Sequence, residues 1–274
     1  QNNGNLTILG GGIVEFTNTA EGGGSTWGTY TIENRSEGVL TIDNATIRHN
    51  GCVNGDETHD TNIAIQNYEG KVVVNDGTIA STQFRSLRDF TAGGEIIING
   101  GEFKGQVWMQ GLGSGSSSLT INGGEFAPTA GYDGSSIFIT NGTNDINVAV
   151  TGGFFNTKIG CNDANKAGVK GCIVGGTFTA NAIENTNAAL IAEGYIAEAD
   201  GDLFNIIYDP FYGYAKVNNV DELSAALANG QSKIYLAAGE VFEGTFAPKV
   251  NTEFLSDSEN KATIKGRINT KSID

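Results

Sequence analysis

The chain is poor in proline, cysteine, basic residues and long apolar runs, and each shortage excludes something. Only 3 prolines stand beside 40 glycines in 274 residues. That much glycine is unusual for a globular protein, but it recurs at fixed positions, which argues against disorder. The 3 cysteines show no disulfide framework, so free thiols are expected rather than a Cys161–Cys172 bridge. With 16 basic against 31 acidic residues the formal charge is −15. Such a surface repels phosphate backbones and anionic membranes, which excludes nucleic acid as a partner. No apolar run is long enough to span a bilayer. Neither an initiator methionine nor a secretory signal precedes the first strand, Leu6-Thr7-Ile8, so the sequence is expected to be a piece of a longer chain.

What is present is a repeat. Ile121 to Phe126 read Ile-Asn-Gly-Gly-Glu-Phe, and six further stretches fit that template: 8–13, 42–47, 74–79, 98–103, 150–155 and 173–178. Their closing residues are Ile13, Ile47, Ile79, Phe103, Phe126, Phe155 and Phe178, which gives steps of 34, 32, 24, 23, 29 and 23 residues. A unit of about 23 residues built of short strands and glycine turns buries its apolar face only by stacking on its neighbours. It is too short for a propeller blade and lacks the helical periodicity of leucine-rich or ankyrin repeats. A parallel β-helix, hence an all-β solenoid, is the expectation. A further strand per repeat fits it: 30–34, 63–67, 85–89, 107–111, 137–141 and 159–163. Alternation along these strands predicts an inward stack of Ile32, Ile65, Leu87, Met109, Ile139 and Cys161. Asn or Asp two places later is expected to close most of these strands.

The repeat pattern breaks at 179–189, and 190–207 reads as a capping hairpin, giving a first domain of residues 1–208. After Asp209-Pro210 comes the best helix signal in the chain. Asn219 is its N-cap with Glu222 three places on, Leu223, Ala226 and Leu227 share a face, and Asn229-Gly230 stops it. Residues 209–274 are therefore expected to form a small module with one helix, about 220–229, and β-strands, the start of a second β-helix.

The phrases Leu119-Thr120-Ile121-Asn122-Gly123-Gly124-Glu125-Phe126 and Gly175-Gly176-Thr177-Phe178, with Ala192-Glu193-Gly194-Tyr195, resemble the glycine-rich repeats of large surface and phage-associated proteins of gut bacteria. Those are related in shape to the pectin-lyase-like right-handed β-helix proteins, and residues 220–246 separately resemble the start of such a module. The resemblance implies a right-handed helix, in keeping with the general rule for parallel crossovers. It implies an extracellular, cell-surface or virion location and leaves activity open.

Three constellations carry chemistry. Glu102 and Glu125 fill one slot in adjacent repeats, roughly 5 Å apart, a spacing suited to retaining glycosidases. Thr46, Thr78 and Thr177 hold the same slot elsewhere, which weighs towards a solvent-facing polar position. Arg88 is the best basic residue available to them. Second, the loop 49–60 holds both histidines; His49, Cys52, His59 and Asp60 could ligate zinc, though their spacing fits no finger, and calcium is the other metal to consider. Third, the outward columns Thr31, Ala64, Ser86, Trp108, Phe138, Gly160 and Glu33, Gln66, Arg88, Gln110, Thr140, Asn162 put Trp108 and Phe138 on adjacent repeats. With Arg88, Gln66 and Gln110 beside them, solvent-facing aromatics suit a sugar; the competing expectation is that a loop or a second subunit covers them.

The leading expectation is a non-catalytic surface or virion module that presents a rigid face for adhesion to a polysaccharide or a surface protein, with no resident cofactor. The alternatives are a polysaccharide lyase or glycoside hydrolase, and a structural assembly protein of a phage or surface appendage, for which a homotrimer is the natural state.

Overall fold

The structure, a computed structural model, describes residues 1–17, 29–50, 62–81, 85–128 and 134–270. The chain is all-β in character, with 52% strand and 8% helix. It divides into two compact units, Gln1–Tyr208 and Asp209–Asp274.

In the first unit the chain visits three sheets in rotation, and neighbours within a sheet are mostly parallel. The first sheet holds β1 (Asn5–Leu9), β4 (Val39–Asp43), β7 (Lys71–Val74), β10 (Glu95–Ile98), β13 (Ser116–Ile121) and β16 (Asp145–Val150). The second holds β2 (Ile13–Thr17), β5 (Ala45–Asn50), β8 (Gly77–Ser81), β11 (Glu102–Phe103), β14 (Glu125–Phe126), β17 (Phe154–Phe155) and β19 (Thr177–Thr179). It ends with the antiparallel strands β21 (Leu203–Tyr208) and β20 (Tyr195–Asp200). The third holds β3 (Thr29–Asn34), β6 (Asn62–Tyr68), β9 (Arg85–Thr91), β12 (Gln106–Leu112), β15 (Ile137–Ile139) and β18 (Ile159–Cys161).

The six-residue phrase explains the first two sheets letter by letter. Its opening residues Ile8, Ile42, Val74, Ile98, Ile121 and Val150 stand side by side, continued by a bridge to Ile173. Its closing residues Ile47, Ile79, Phe103, Phe126, Phe155 and Phe178 do the same and are fully buried. The four phenyl rings stack with centroids 4.9, 5.0 and 4.6 Å apart, within 20° of parallel. Between the two ends lies Asn-Gly-Gly. The amide of Asn99 donates to Asn75 Oδ1 and that of Asn122 to Asn99 Oδ1, each at 2.9 Å, and Thr151 Oγ1 donates to Asn122 Oδ1. The first glycine lies against the backbone of the repeat before: a Cβ on Gly100 or Gly123 would sit 2.5 Å from the carbonyl oxygen of Asn75 or Asn99. The second turns the corner with positive φ, +92° at Gly101 and +101° at Gly124, where side chains are disfavoured.

The first copy is a correction. Val14, not Ile13, faces Ile47, and Ile13 is 61% exposed. Three successive glycines, Gly10 to Gly12, put one more residue into that corner than the template allows.

The third sheet departs from the predicted register by two residues. Leu87 faces Val107, not Met109, and the line continues to Ile137 and Ile159. The irregularity lies between β9 and β12, where Ser86 falls between the paired positions. A shift of two keeps inward residues inward but changes their neighbours. The line two residues on therefore runs Asn34, Asn67, Asp89, Met109, Ile139, Cys161, changing from polar to apolar at Met109. Asn34, Asn67 and Asp89 are fully buried inside the unit rather than serving only as strand ends.

At the far end the predicted hairpin is present, but its first strand begins at Tyr195 rather than 190. Before it, α1 (Ala180–Asn185) starts where Thr179 accepts a hydrogen bond from the Ala182 amide, and Ala182 and Leu190 enter the core. In the second unit, β22 (Ala215–Val217), β23 (Lys233–Leu236) and β25 (Glu253–Ser256) form one parallel sheet, and β24 (Val241–Phe246) pairs in parallel with β26 (Thr263–Ile268). The helix α2 (Val220–Ala228) has the predicted N-cap: Asn219 Oδ1 accepts from the Glu222 amide at 2.9 Å, and Glu222 Oε2 reaches back to accept from the Asn218 amide at 2.7 Å. Leu223, Ala226 and Leu227 face the unit's own core.

Gly124→Ala places a methyl at positive φ and is expected to cost about 1–3 kcal/mol. Phe126→Ala opens a gap in the ring stack and is expected to cost about 3–5 kcal/mol. Denaturant unfolding followed by tryptophan emission, whose two sources both lie in the first unit, checks both values.

Candidate functional site

The third sheet is unlike the other two. Along β7 and β10 buried and half-buried residues alternate, whereas six successive residues of β6 and the first five of β9 are buried. Along β6 and the start of β9 both faces of the third sheet are therefore covered, and its outer face carries unusual chemistry.

Outward on this sheet, Glu33, Gln66, Arg88, Trp108 and Phe138 form one line of neighbours. Trp108 and Phe138 are adjacent as predicted, with ring centroids 6.4 Å apart. The expectation that they face solvent is not met: Trp108 is 8% and Phe138 7% exposed, and Gln66 is fully buried. Arg88 lies in line with Trp108, not in a parallel column. Its guanidinium stacks 4.5 Å from the indole, and its Nε donates to Gln110 Oε1 at 2.9 Å. The indole N–H donates to Thr140 Oγ1 at 2.7 Å. Thr31, Ala64 and Ser86 do not face outward: Thr31 Oγ1 donates to the Arg48 carbonyl, Ser86 Oγ to that of Gly105, and Ala64 belongs to the core.

Several members of this face lie outside the sequence-derived set. Arg85 is fully buried, with its guanidinium 3.7 Å from the Trp108 ring. Arg88 also lies 4.4 Å from the Phe90 ring, Phe90 packs edge-on to Tyr68 at 5.4 Å, and Arg35 lies 4.1 Å over Tyr68. Tyr68 in turn donates from its hydroxyl to that of Tyr30 at 3.3 Å. Burial pushes the Tyr30 phenol up to about 12, so it is neutral at any ordinary pH. The result is a continuous run of guanidinium and aromatic groups, Arg35, Tyr68, Phe90, Arg88, Trp108 and Phe138. Tyr30, Tyr68, Phe90, Arg35 and Gln110 are only half-buried and form its accessible part. The signal was in the sequence: Arg35, Tyr68 and Phe90 each directly follow the buried Asn or Asp of their strand.

The carboxylates are elsewhere. Glu102 and Glu125 are paired neighbours on the second sheet, as the template requires. Glu102 is bonded to Lys104 at 3.1 Å, and Arg88 belongs to the third sheet, so the three residues are not gathered at one site.

Of the metal candidates, Cys52, His59 and Asp60 lie outside the described residues. His49 is not in a loop but in β5, fully buried, stacked on Phe16 at 5.0 Å with Nε2 3.0 Å from Thr29 Oγ1. Among the described residues no group of three or more His, Cys, Asp or Glu side chains is placed to hold a metal. Cys161 and Cys172 are free thiols, and Cys172 points into the core rather than outward. Burial pushes its thiol up to about 12. Among the described residues, no helix is long and apolar enough to cross a membrane.

Desolvation lowers the His49 pKa to about 4. Its neutral form is favoured by folding, so it contributes stability that is complete above about 6.5 and lost as pH falls towards 4. An imidazole NMR titration is expected to show no protonation of His49 between pH 7 and pH 5. Compared with protein-family models, with curated proteins and with solved structures, the chain matches nothing.

Proposed function

We propose that residues 1–208 form a right-handed parallel β-helix that serves as a rigid, non-catalytic surface scaffold, and that the outer face of its third sheet binds polysaccharide. The rotation of the chain through three parallel sheets supports the fold, and the resemblance of the Ile-Asn-Gly-Gly-Glu-Phe phrase to surface and phage-associated repeats supports the setting. The observation that carries the binding role is the run Arg35, Tyr68, Phe90, Arg88, Trp108, Phe138. Aromatic faces stack on the C–H faces of sugars, guanidinium and amide groups hold hydroxyls or carboxylates, and the buried part fixes the accessible part in place. In a chain with about twice as many acids as bases, Arg85 and Arg88 lie in this one sheet and Arg35 directly follows its strand β3.

A second reading, cleavage of polysaccharide, has one specific observation in its favour: Glu102 and Glu125 stand next to one another on a strand pair. Their lack of a basic partner from the third sheet favours the first.

The test is to pass the chain over a panel of immobilised host and dietary polysaccharides while following new reducing or unsaturated ends. Retention without new ends is expected, weakened about tenfold, or 1.4 kcal/mol, by Tyr68→Ala or Phe90→Ala in variants that still fold. New ends abolished by Glu102→Gln or Glu125→Gln would establish the enzymatic reading. Absence of retention on every polysaccharide would reject glycan binding and leave the assembly role.

A further inference from the structure

Inside the first unit the buried amides form a chain of their own. Asn2 Nδ2 donates to Asn34 Oδ1 at 2.8 Å, Asn34 Nδ2 to Asn67 Oδ1 at 2.8 Å, and Asn67 Nδ2 to Asp89 Oδ1 at 2.9 Å. The same amide nitrogens also serve the adjoining corner, Asn34 at the carbonyls of Gly38 and Lys71, and Asn67 at that of Gly70. Glycines make room for these side chains. A Cβ on Gly38 or Gly70 would collide with the Asn34 amide, and one on Gly94 would collide with the Asp89 carboxyl. The corner is thus built around a side-chain ladder, and Asp89 is a member of it.

Asp89 is also the last member. Its next neighbour in the line is Met109, which offers no hydrogen bond, and beyond that come Ile139 and Cys161. Asp89 Oδ2 is buried and has no hydrogen-bond partner. Ser117 Oγ of β13, also buried and unpartnered, is near enough to lower the carboxyl's affinity for protons, yet falls short of hydrogen-bond geometry. No charge compensates the carboxyl. Arg85 and Arg88 of its own strand are turned to Trp108 on the outer face. Neither β12 nor β13 contains an ionisable residue, and Glu95 of β10 is bonded to Lys71 at 3.0 Å. On β6 the one ionisable side chain, Tyr68, belongs to the outer strip.

We propose that Asp89 is a proton-operated end stop of the interior ladder, neutral and hydrogen-bonded to Ser117 when the first unit is at its tightest, and loosening the repeats around β9 and β12 when it ionises. A neutral carboxyl suits the site in the one respect that a carboxylate does not, burial without a compensating charge, since Ser117 Oγ–H can donate to either form. Its Oδ1 still accepts from Asn67, its Oδ2–H has a hydroxyl oxygen to donate to, and no charge is left in an apolar interior. The proton comes from solvent and returns to it.

Burial raises the Asp89 pKa from 3.8 to about 6, against smaller opposing effects of Ser117 and Asn67. Because the folded value is the higher one, the stability gained from protonation is complete below about 4 and lost as pH rises through about 6. His49 acts in the opposite sense over an overlapping window, so the wild-type profile alone does not isolate Asp89.

The decisive comparison is with Asp89→Asn, which keeps the shape and the Oδ1 acceptor and cannot ionise. Denaturation midpoints of the full chain, followed by tryptophan emission, are to be measured for both proteins from pH 4 to pH 8. The wild-type midpoint is expected to fall relative to that of the variant across pH 4–7, with the variant the more stable at pH 8. Amide exchange of residues 87–91 and 107–111 is expected to quicken over the same interval in the wild type only. Parallel midpoint profiles, or a wild type that gains on the variant as pH rises, would overturn the proposal. Should the variant fail to fold, carboxyl-carbon NMR of the wild type decides: a buried aspartate titrating near pH 6 supports the end stop, and none titrating above about 4.5 rejects it.

Discussion

Everything in the first unit depends on how closely one repeat's backbone lies on the next at the Asn-Gly-Gly corner. Parallel strands in a sheet stand about 4.8 Å apart, and the corner between two sheets must keep that spacing while changing direction. Side chains are what it cannot accommodate. The first glycine is pressed against a carbonyl oxygen of the preceding repeat, and the second adopts a backbone conformation that a Cβ opposes. Between them the two glycines set the step, and the step sets the rest.

Once the step is fixed, every residue meets its counterpart in the next repeat at one distance, and side chains that tolerate their own kind are favoured. Flat rings can do so, and four phenylalanines stack in the core. Carboxamides can as well, each being donor and acceptor at once, and they line both the surface corner at Asn75, Asn99 and Asn122 and the interior at Asn2, Asn34 and Asn67. Arginines on the outer face of the third sheet lie against aromatic rings, Arg88 between Phe90 and Trp108 and Arg85 on Trp108, where a guanidinium gains a cation–π contact.

The first two sheets could be read from the sequence because a glycine pair marks the same point in most repeats, and the apolar residues around it keep the spacing in the others, 42–47 and 74–79. Nothing marks the third. Its strands carry apolar residues two apart, a pattern that fits equally well when displaced by two, so the sequence pairs Leu87 with Met109 although its neighbour is Val107. The adjacency of Trp108 and Phe138 survived that displacement, as did the pairing of Glu102 with Glu125, which the glycines fix. Burial of the outer face was not legible, because alternation reports which side of a strand a residue occupies and says nothing about what lies on that side. For the same reason the burial of Arg85 against Trp108 was not legible, and His49, expected in a loop, lies within a strand.

A row of carboxamides has no inherent direction, since each can be turned over to exchange donor for acceptor, provided that all turn together. In the interior ladder the nitrogens of Asn2, Asn34 and Asn67 all point towards the later repeat. The oxygen that Asn67 addresses belongs to the one member without an N–H, so a reversed Asn67 would meet Asp89 oxygen to oxygen. The carbonyls of Gly38, Lys71 and Gly70 hold Asn34 and Asn67 in that same sense, so the carboxyl at one end of the row and the backbone along it write the same order.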